Sequence, residues 1–155
     1  KSDMNIEDVI RMDHHKVNML FQQIDGTNDP QKIQEYFGQI YKDLSVHATA
    51  EEQVVYPAVR PFYGDTQELY DEQAEMTVVL EELKAGDLTD PDFSNSFKSR
   101  LEQLKSMVMD HVRQEESSMF AAINSNCTDT QKEQMATQFK QAKSQLQEQL
   151  MAMSN

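Results

Sequence analysis

The chain has 155 residues, with 27 acidic and 14 basic side chains and a formal net charge of −13 at pH 7. This length predicts a single domain over residues 1–155 with a sizeable core. A strongly negative chain repels phosphate groups, so neither nucleic acid nor an anionic membrane surface is an expected partner. No run of about 18 apolar residues predicts a transmembrane helix. The single cysteine, Cys127, allows no internal disulfide, which favours a soluble protein of the cytoplasm.

Helical periodicity runs along nearly the whole chain, and the glycines and prolines fall between periodic segments. A first helix is predicted over residues 5–24, ending at the turn sequence DGTNDP. Asp29 can cap a second helix that has Pro30 at its first position and continues to about Val59. We therefore expect two long helices joined by a short turn.

The second half of the chain repeats this organisation. A third helix is predicted over residues 65–85. Asp90 and Pro91 repeat the pair of cap and proline and open a fourth helix, which extends to about Asn124. A fifth helix begins at Thr128 or Asp129 and reaches the C-terminus.

Short loops between long helices favour antiparallel neighbours, so the predicted fold is all-α: an up-down-up-down four-helix bundle with an additional C-terminal helix. The apolar stripe of that fifth helix is predicted to cover one groove of the bundle. Its members are Met135, Phe139, Ala142, Leu146 and Leu150.

Ionisable residues interrupt three apolar stripes at mid-length. The stripes are Ile6, Ile10, His14, Val17, Phe21 and Ile24 in the first helix; Ile40, Leu44, His47, Glu51, Val55 and Ala58 in the second; and Leu101, Leu104, Val108, His111, Glu115 and Met119 in the fourth. The remaining histidine, His15, shares a face with polar residues and is expected at the surface.

The motif HATAEE at residues 47–52 returns as HVRQEE at residues 111–116. A single core-facing histidine is usually a hydrogen-bonded structural residue, and a His–Glu pair at this spacing on a surface is an ordinary helix pair. These pairs instead lie on core-facing stripes, where an unpaired carboxylate costs several kcal/mol. A bound metal removes that cost, because imidazole nitrogen and carboxylate oxygen become its ligands. The doubled motif suggests two metals.

The segments MDHHKVNMLF, HATAEEQVVYP and HVRQEESSMF, in this order and at bundle spacing, resemble the signature of the hemerythrin-like HHE domain family, over nearly the whole chain. The resemblance implies a non-haem di-iron centre with an oxo- or hydroxo-bridge inside the bundle. By the same resemblance, His14 and His47 would bind one iron and His111 the other. Glu51 and Glu115 would bridge the pair.

The sequence departs from the family pattern in the third helix, where the family usually supplies another histidine. Along the stripe Leu69, Met76, Leu80 and Leu83, that position is Gln73. Its amide oxygen could bind a metal weakly, it could hydrogen-bond a metal-bound water, or the second metal position could keep an open site. Glu72 is expected to point toward the flank. Tyr56 aligns with Phe120 and is expected to pack, with a phenol that could reach the site.

A histidine-rich di-iron centre with an open position invites dioxygen, hydrogen peroxide or nitric oxide, and the resemblance does not choose among them. A peroxide-consuming, catalase-like activity is one expectation. An iron-binding sensor or storage module without turnover is the alternative, and an inert helical scaffold is a third hypothesis. No glycine-rich phosphate loop and no nucleophile beside a base is present, so hydrolytic and phosphoryl-transfer enzymes have no support.

Overall fold

The structure, a computed structural model, describes residues 4–154, so Asn155, at the end of the fifth predicted helix, lies outside the described residues. The described residues form α-helices interrupted by two short π-helical segments and no strand. The elements are α1 (Ile6–Asp25), α2 (Pro30–Ala50), the first π-segment (Glu51–Val55), α3 (Tyr56–Val59), α4 (Thr66–Ala85), α5 (Pro91–Gln114), the second π-segment (Glu115–Met119), α6 (Phe120–Asn126) and α7 (Asp129–Ser154).

The predicted helix boundaries agree with the caps that the structure contains. Asp29 accepts a hydrogen bond from the backbone N–H of Gln31 at 3.0 Å, directly before Pro30. Asp90 accepts one from the backbone N–H of Asp92, also at 3.0 Å, before Pro91. Each carboxylate satisfies a backbone donor that the first turn of a helix leaves free.

The helices form the predicted antiparallel four-helix bundle. The long rods are α1, α2 with its π-segment and α3, α4, and α5 with its π-segment and α6. α1 packs along α2 and α4 packs along α5, while α7 lies against both α1 and α2. Within residues 4–154, no helix is both long and apolar enough to cross a bilayer.

The two π-segments correct the predicted face of the second helix. The sequence predicts Ala58 on the core-facing stripe, but Ala58 is exposed and Val59 is fully buried. A π-turn accommodates one residue more than an α-turn, so the buried face moves on by one position after Glu51. Both π-segments begin at the glutamate of the repeated motif.

The apolar core consists of two separate clusters. One lies toward the end of the bundle that holds Ile10, Leu69 and Met119. The other contains Val17 and Val108. On every long rod the polar site residues fall between these clusters in sequence, so the bundle core is interrupted at mid-length by one polar layer.

Candidate metal centre

The polar layer of the bundle contains every residue that the sequence predicts as a metal ligand. Glu51 and Glu115 are fully buried. The side chains of His14, His47 and His111 are 10%, 8% and 6% exposed. Buried carboxylates and imidazoles at this density are costly unless each finds a partner or a cation. His15 is exposed, as predicted.

Four of these residues form a group able to hold one metal ion. A ligand atom from each of His14, His47, Glu51 and Glu115 lies within 4.8 Å of the others. His14 Nε2 lies 3.2 Å from Glu115 Oε1, and His47 Nε2 lies 3.2 Å from Glu51 Oε1. Ligand atoms about 2.1 Å from one cation, on neighbouring octahedral positions, are about 3 Å apart. The spacing of this group therefore fits one metal.

Glu115 faces two different histidines with its two carboxylate oxygens. Its Oε1 lies beside His14, and its Oε2 lies 3.1 Å from His111 Nε2. His111 is outside the group of four and sits on the far side of this carboxylate. A carboxylate placed in this way can bridge two cations, one on each oxygen.

Tyr56 reaches the centre of the site, where the sequence indicated mainly packing. Its hydroxyl donates to Glu115 Oε2 at 2.5 Å and also lies 3.2 Å from Glu51 Oε1 and 3.0 Å from His111 Nε2. The tyrosine is fully buried. It follows Glu51 by five positions, and two residues at this spacing share a helix face only when the helix contains a π-turn.

Gln73 enters the same layer from α4 and is 2% exposed. Its amide N–H groups donate to Glu51 Oε1 at 2.8 Å and to the Tyr56 hydroxyl oxygen at 2.7 Å. Its amide nitrogen lies 3.5 Å from His111 Nε2. The structure thus brings Gln73 to the His111 side of the site, as the stripe of the third predicted helix indicated.

Each of the three histidines has a carboxylate behind it. His14 Nδ1 lies 2.7 Å from Glu116, His47 Nδ1 lies 2.7 Å from Asp13, and His111 Nδ1 lies 2.7 Å from Glu72. The residue expected at the flank of the third helix, Glu72, is thus a partner of the site. When Nδ1–H donates to a carboxylate, the lone pair of a neutral imidazole remains on Nε2, the atom that faces the centre.

α7 contributes to the outer part of the site. Lys143 Nζ donates to Asp13 at 2.6 and 2.8 Å, so the carboxylate behind His47 is held by a cation. Phe139 is fully buried and packs edge-on against the His47 ring, with centroids 5.5 Å apart. The fifth helix therefore fixes the position of one predicted ligand from behind.

Ionisation in the metal-free site is strongly perturbed. Burial lowers the pKa of His47, but Glu51 and Asp13 outweigh it and raise the pKa to about 10. For His111 burial again lowers the pKa, while Glu115, Glu51 and Glu72 raise it to about 9. Metal-free protein therefore carries protons on these imidazoles at neutral pH.

Burial and neighbouring charges also shift the pKa values of the two glutamates and of the tyrosine in the layer. Burial and the neighbouring Glu115 charge raise the pKa of Glu51. Burial also opposes ionisation of Glu115, but His111 and His14 hold its pKa well below the usual range. Burial and the two carboxylates keep the pKa of Tyr56 well above 10, so its hydroxyl remains a donor.

The site has donor atoms that the protein itself does not satisfy. His47 Nε2, Glu51 Oε2, Glu115 Oε1 and Gln73 Oε1 are buried without a hydrogen-bond partner among the described groups. His47 Nε2 lies 3.2 Å from Glu51 Oε1, and Glu115 Oε1 lies 3.2 Å from His14 Nε2, in both cases without hydrogen-bond geometry. Nitrogen and oxygen atoms that converge without bonding each other suit a divalent transition metal.

The sequence predicted the residues that meet in the polar layer but missed most of their partners. Asp13 and Glu116 each adjoin a predicted ligand in sequence, and that adjacency was the available signal. Lys143 gave none, because it is 130 residues from Asp13 in the chain. The π-turn that brings Tyr56 inward also had no pattern of its own, apart from the displaced stripe.

Comparison with known proteins places the chain in a family. Residues 5–123 match the Hemerythrin HHE cation binding domain. A crystal structure of a Hemerythrin HHE cation binding domain-containing protein from Mycobacterium kansasii superposes with a TM-score of 0.82, at 18% sequence identity, over 96% of this chain and 91% of that chain. This second likeness shows the fold alone.

Two relatives in sequence extend the comparison. A protein named DNA nickase, from Nostoc sp. strain PCC 7120, is 62% identical over 152 residues, which are 97% of this chain and 42% of that protein. The chain thus spans less than half the length of this relative. An uncharacterized hemerythrin-like protein from Schizosaccharomyces pombe is 24% identical over 146 residues, covering 89% of this chain and 68% of that protein.

Proposed function

The chain belongs to the hemerythrin HHE cation-binding domain family, and on that premise we propose that it holds a non-haem di-iron centre that consumes peroxide. The observation that carries the proposal is the polar layer in which three histidines, each backed by a carboxylate, converge on two buried glutamates. Imidazole and carboxylate together are a ligand set that suits iron.

The proposed ligands fall into two positions. His14 and His47 with one oxygen each of Glu51 and Glu115 would hold the first iron. His111 with the second oxygen of Glu115 would hold the other. This division supports Glu115 as a bridge. Glu51 Oε1 lies beside His47 and its Oε2 is buried without a hydrogen-bond partner among the described groups, which supports Glu51 as a second bridge.

The His111 position has one histidine where the other has two. Tyr56 and Gln73 are the remaining neighbours of this position, and neither offers an imidazole nitrogen, the stronger donor to iron. A position with fewer strong ligands keeps coordination sites for an incoming molecule. This asymmetry favours reaction with peroxide over reversible storage of dioxygen, and nitric oxide would bind at the same open sites.

Bound iron would supply the redox chemistry for the disproportionation of two hydrogen peroxide molecules. One would be oxidised to dioxygen, and the other would be reduced to two water molecules with the two protons that the first releases. The chain supplies the proton path. The Tyr56 hydroxyl stays protonated and lies 2.5 Å from Glu115 Oε2 and 2.7 Å from the Gln73 amide. The phenol can therefore give its proton to the peroxide that is reduced and regain one from the peroxide that is oxidised.

The test is the iron content of purified variants. Glu51→Ala and Glu115→Ala each remove a proposed bridge, so iron per chain should fall for both positions together. Glu75→Ala is the matched control, since Glu75 is an exposed glutamate on α4, and it should keep the iron of the parent. Unchanged iron in the Glu51 and Glu115 variants would contradict the assignment.

Peroxide consumption by the iron-loaded parent protein tests the activity separately. Decay of hydrogen peroxide should be accompanied by release of dioxygen at half the molar amount, and Tyr56→Phe should slow it without removing iron. Iron-loaded protein that leaves peroxide intact would contradict the catalytic proposal while the metal centre stands.

A second candidate function is a metal-dependent regulatory module without turnover. Its support is the relative named DNA nickase, of which this chain matches 42%. A net charge of −13 opposes contact with a phosphate backbone, so any nicking activity would belong to other residues of such a protein. The chain alone should then leave supercoiled plasmid intact with or without iron, and relaxation of the plasmid would contradict this division of roles.

A further inference from the structure

A groove between α2 and α4 leads from the surface to the polar layer. It encloses a cavity of about 290 Å³. Small and flexible side chains form its walls: Ser45, Ala48, Thr49, Met76 and Thr77 are among them. A cavity of this size admits a small molecule and several waters.

Gln73 belongs both to the wall of this groove and to the metal site. It lines the cavity, and its amide nitrogen donates to Glu51 Oε1 and to the Tyr56 hydroxyl. Its amide oxygen is buried without a partner among the described groups. Gln73 therefore lies between the inner end of the groove and the centre.

The charge at the groove favours a neutral molecule. Glu52 and Glu81 line it, and lysine and arginine are absent from its described lining. The carboxylates oppose anions, while Ser45, Thr49 and Thr77 offer hydroxyl groups to a small polar molecule. Met76, Leu44 and Leu80 make the remaining walls apolar.

The geometry points to the α2–α4 groove as the access route by which a small neutral oxidant, of the hydrogen peroxide or dioxygen class, reaches the His111 side of the centre, with Gln73 as its inner gate. This inference rests on the proposed function and adds the path and the charge selectivity of its substrate. Displacement of the Gln73 amide is the local movement that opens the path.

A second groove, between α1 and α5, is the competing route. It has about 310 Å³ and is lined by His14, Met109, Val112 and Glu116. His14 Nδ1 lies 2.7 Å from Glu116 there, so the Nδ1 side of the imidazole ring faces this groove and Nε2 faces the centre. A molecule in the second groove therefore contacts the side of His14 that faces away from the centre.

The first experiment places dissolved dioxygen in the metal-free protein. Dioxygen is paramagnetic, so it speeds the NMR relaxation of methyl groups that it visits. The methyls of Ala48 and Met76 should relax faster than those of Met109 and Val112. Enhancement confined to Met109 and Val112 would overturn the inference, and this measurement does not depend on iron or on turnover.

The second experiment narrows the groove. Ala48→Phe should slow the second-order rate of peroxide consumption about tenfold at unchanged iron content, because a partly blocked path lowers the association rate. Ser45→Leu repeats the test at a second wall position if Ala48→Phe fails to fold. Asn18→Leu, in the α1–α5 groove, is the matched control and should keep the parent rate.

The two proposals fail differently. Protein that binds no iron would contradict the proposed function, and the dioxygen relaxation measurement would still decide the groove. Iron-loaded Ala48→Phe and Ser45→Leu variants that consume peroxide at the parent rate would overturn the access route and leave the metal centre in place.

Discussion

At the scale of single residues, the site is unequal on its two sides. One position has two histidines, and the other has His111 with Tyr56 and Gln73 beside it. The amide of Gln73 occupies the place where the family resemblance indicates a further histidine. Gln73 would therefore decide how many strong ligands the proposed second iron position has.

Gln73→His should strengthen the weaker position. Imidazole is a better iron ligand than an amide oxygen, so occupancy of the second position should rise and peroxide turnover should slow as an open site closes. Iron titration with a competing chelator, followed by peroxide decay, measures both effects. Two sites of equal affinity in the parent protein, or a variant unchanged in both properties, would remove Gln73 from the mechanism.

Asp13 positions His47, so Asp13→Asn should weaken metal binding. Loss of such an outer partner typically costs about 10–100-fold in metal affinity. Lys143→Met should act in the same direction and less strongly, because Lys143 reaches His47 only through Asp13.

Lys140→Met provides the matched control, since Lys140 is exposed on the same helix and its loss changes the net charge equally. Metal affinity should follow the order parent, Lys140→Met, Lys143→Met, Asp13→Asn, with the first two equal. Equal affinities for the Lys140 and Lys143 variants would show that the ion pair with Asp13 does not support the site.

At the scale of secondary-structure elements, α7 packs against the polar layer as a fifth helix. Phe139 is fully buried and packs against His47. Phe139→Ala should destabilise the protein by about 3–5 kcal/mol, the range for removing a core phenylalanine. Urea unfolding of the metal-free protein measures this cost without a contribution from the metal.

The neighbouring Gln138→Ala serves as the control for Phe139→Ala. Gln138 is exposed, and surface substitutions usually stay within about 0.5 kcal/mol. Similar unfolding midpoints for the two variants would mean that α7 is not a structural part of the bundle.

At the scale of the whole molecule, the buried charges couple folding to protons and to metal. The pKa of His47 is raised from 6.5 to about 10 and that of His111 to about 9. A raised folded-state pKa stabilises the fold fully below the unfolded value, and this stabilisation is lost as pH rises through the folded value. The melting temperature of metal-free protein should therefore fall between pH 6.5 and 10.

Metal reverses this dependence, because it replaces the protons on both imidazoles. Metal binding to the native state alone adds about 4 kcal/mol of stability at a thousandfold excess over Kd. The gap between the melting temperatures of metal-loaded and chelator-treated protein should thus widen from pH 6.5 to pH 9. Equal melting temperatures at both pH values would contradict a metal centre that stabilises the fold.

The sequence by itself determined the rods, the core and the metal-binding face. Helical period, the pairs Asp29–Pro30 and Asp90–Pro91, and the repeated motif all act within a few turns of one helix, so local chemistry was sufficient to predict them. The stripe positions of His47 and His111 placed both histidines in the bundle interior for the same reason.

Only the tertiary structure decided how the layer is completed. The placement of Tyr56 depends on a π-turn that packing selects over a regular α-turn. Lys143 finds Asp13, and Glu72 finds His111, across 130 and 39 residues of chain. Such pairings depend on how whole helices lie against one another, and no local period encodes that arrangement.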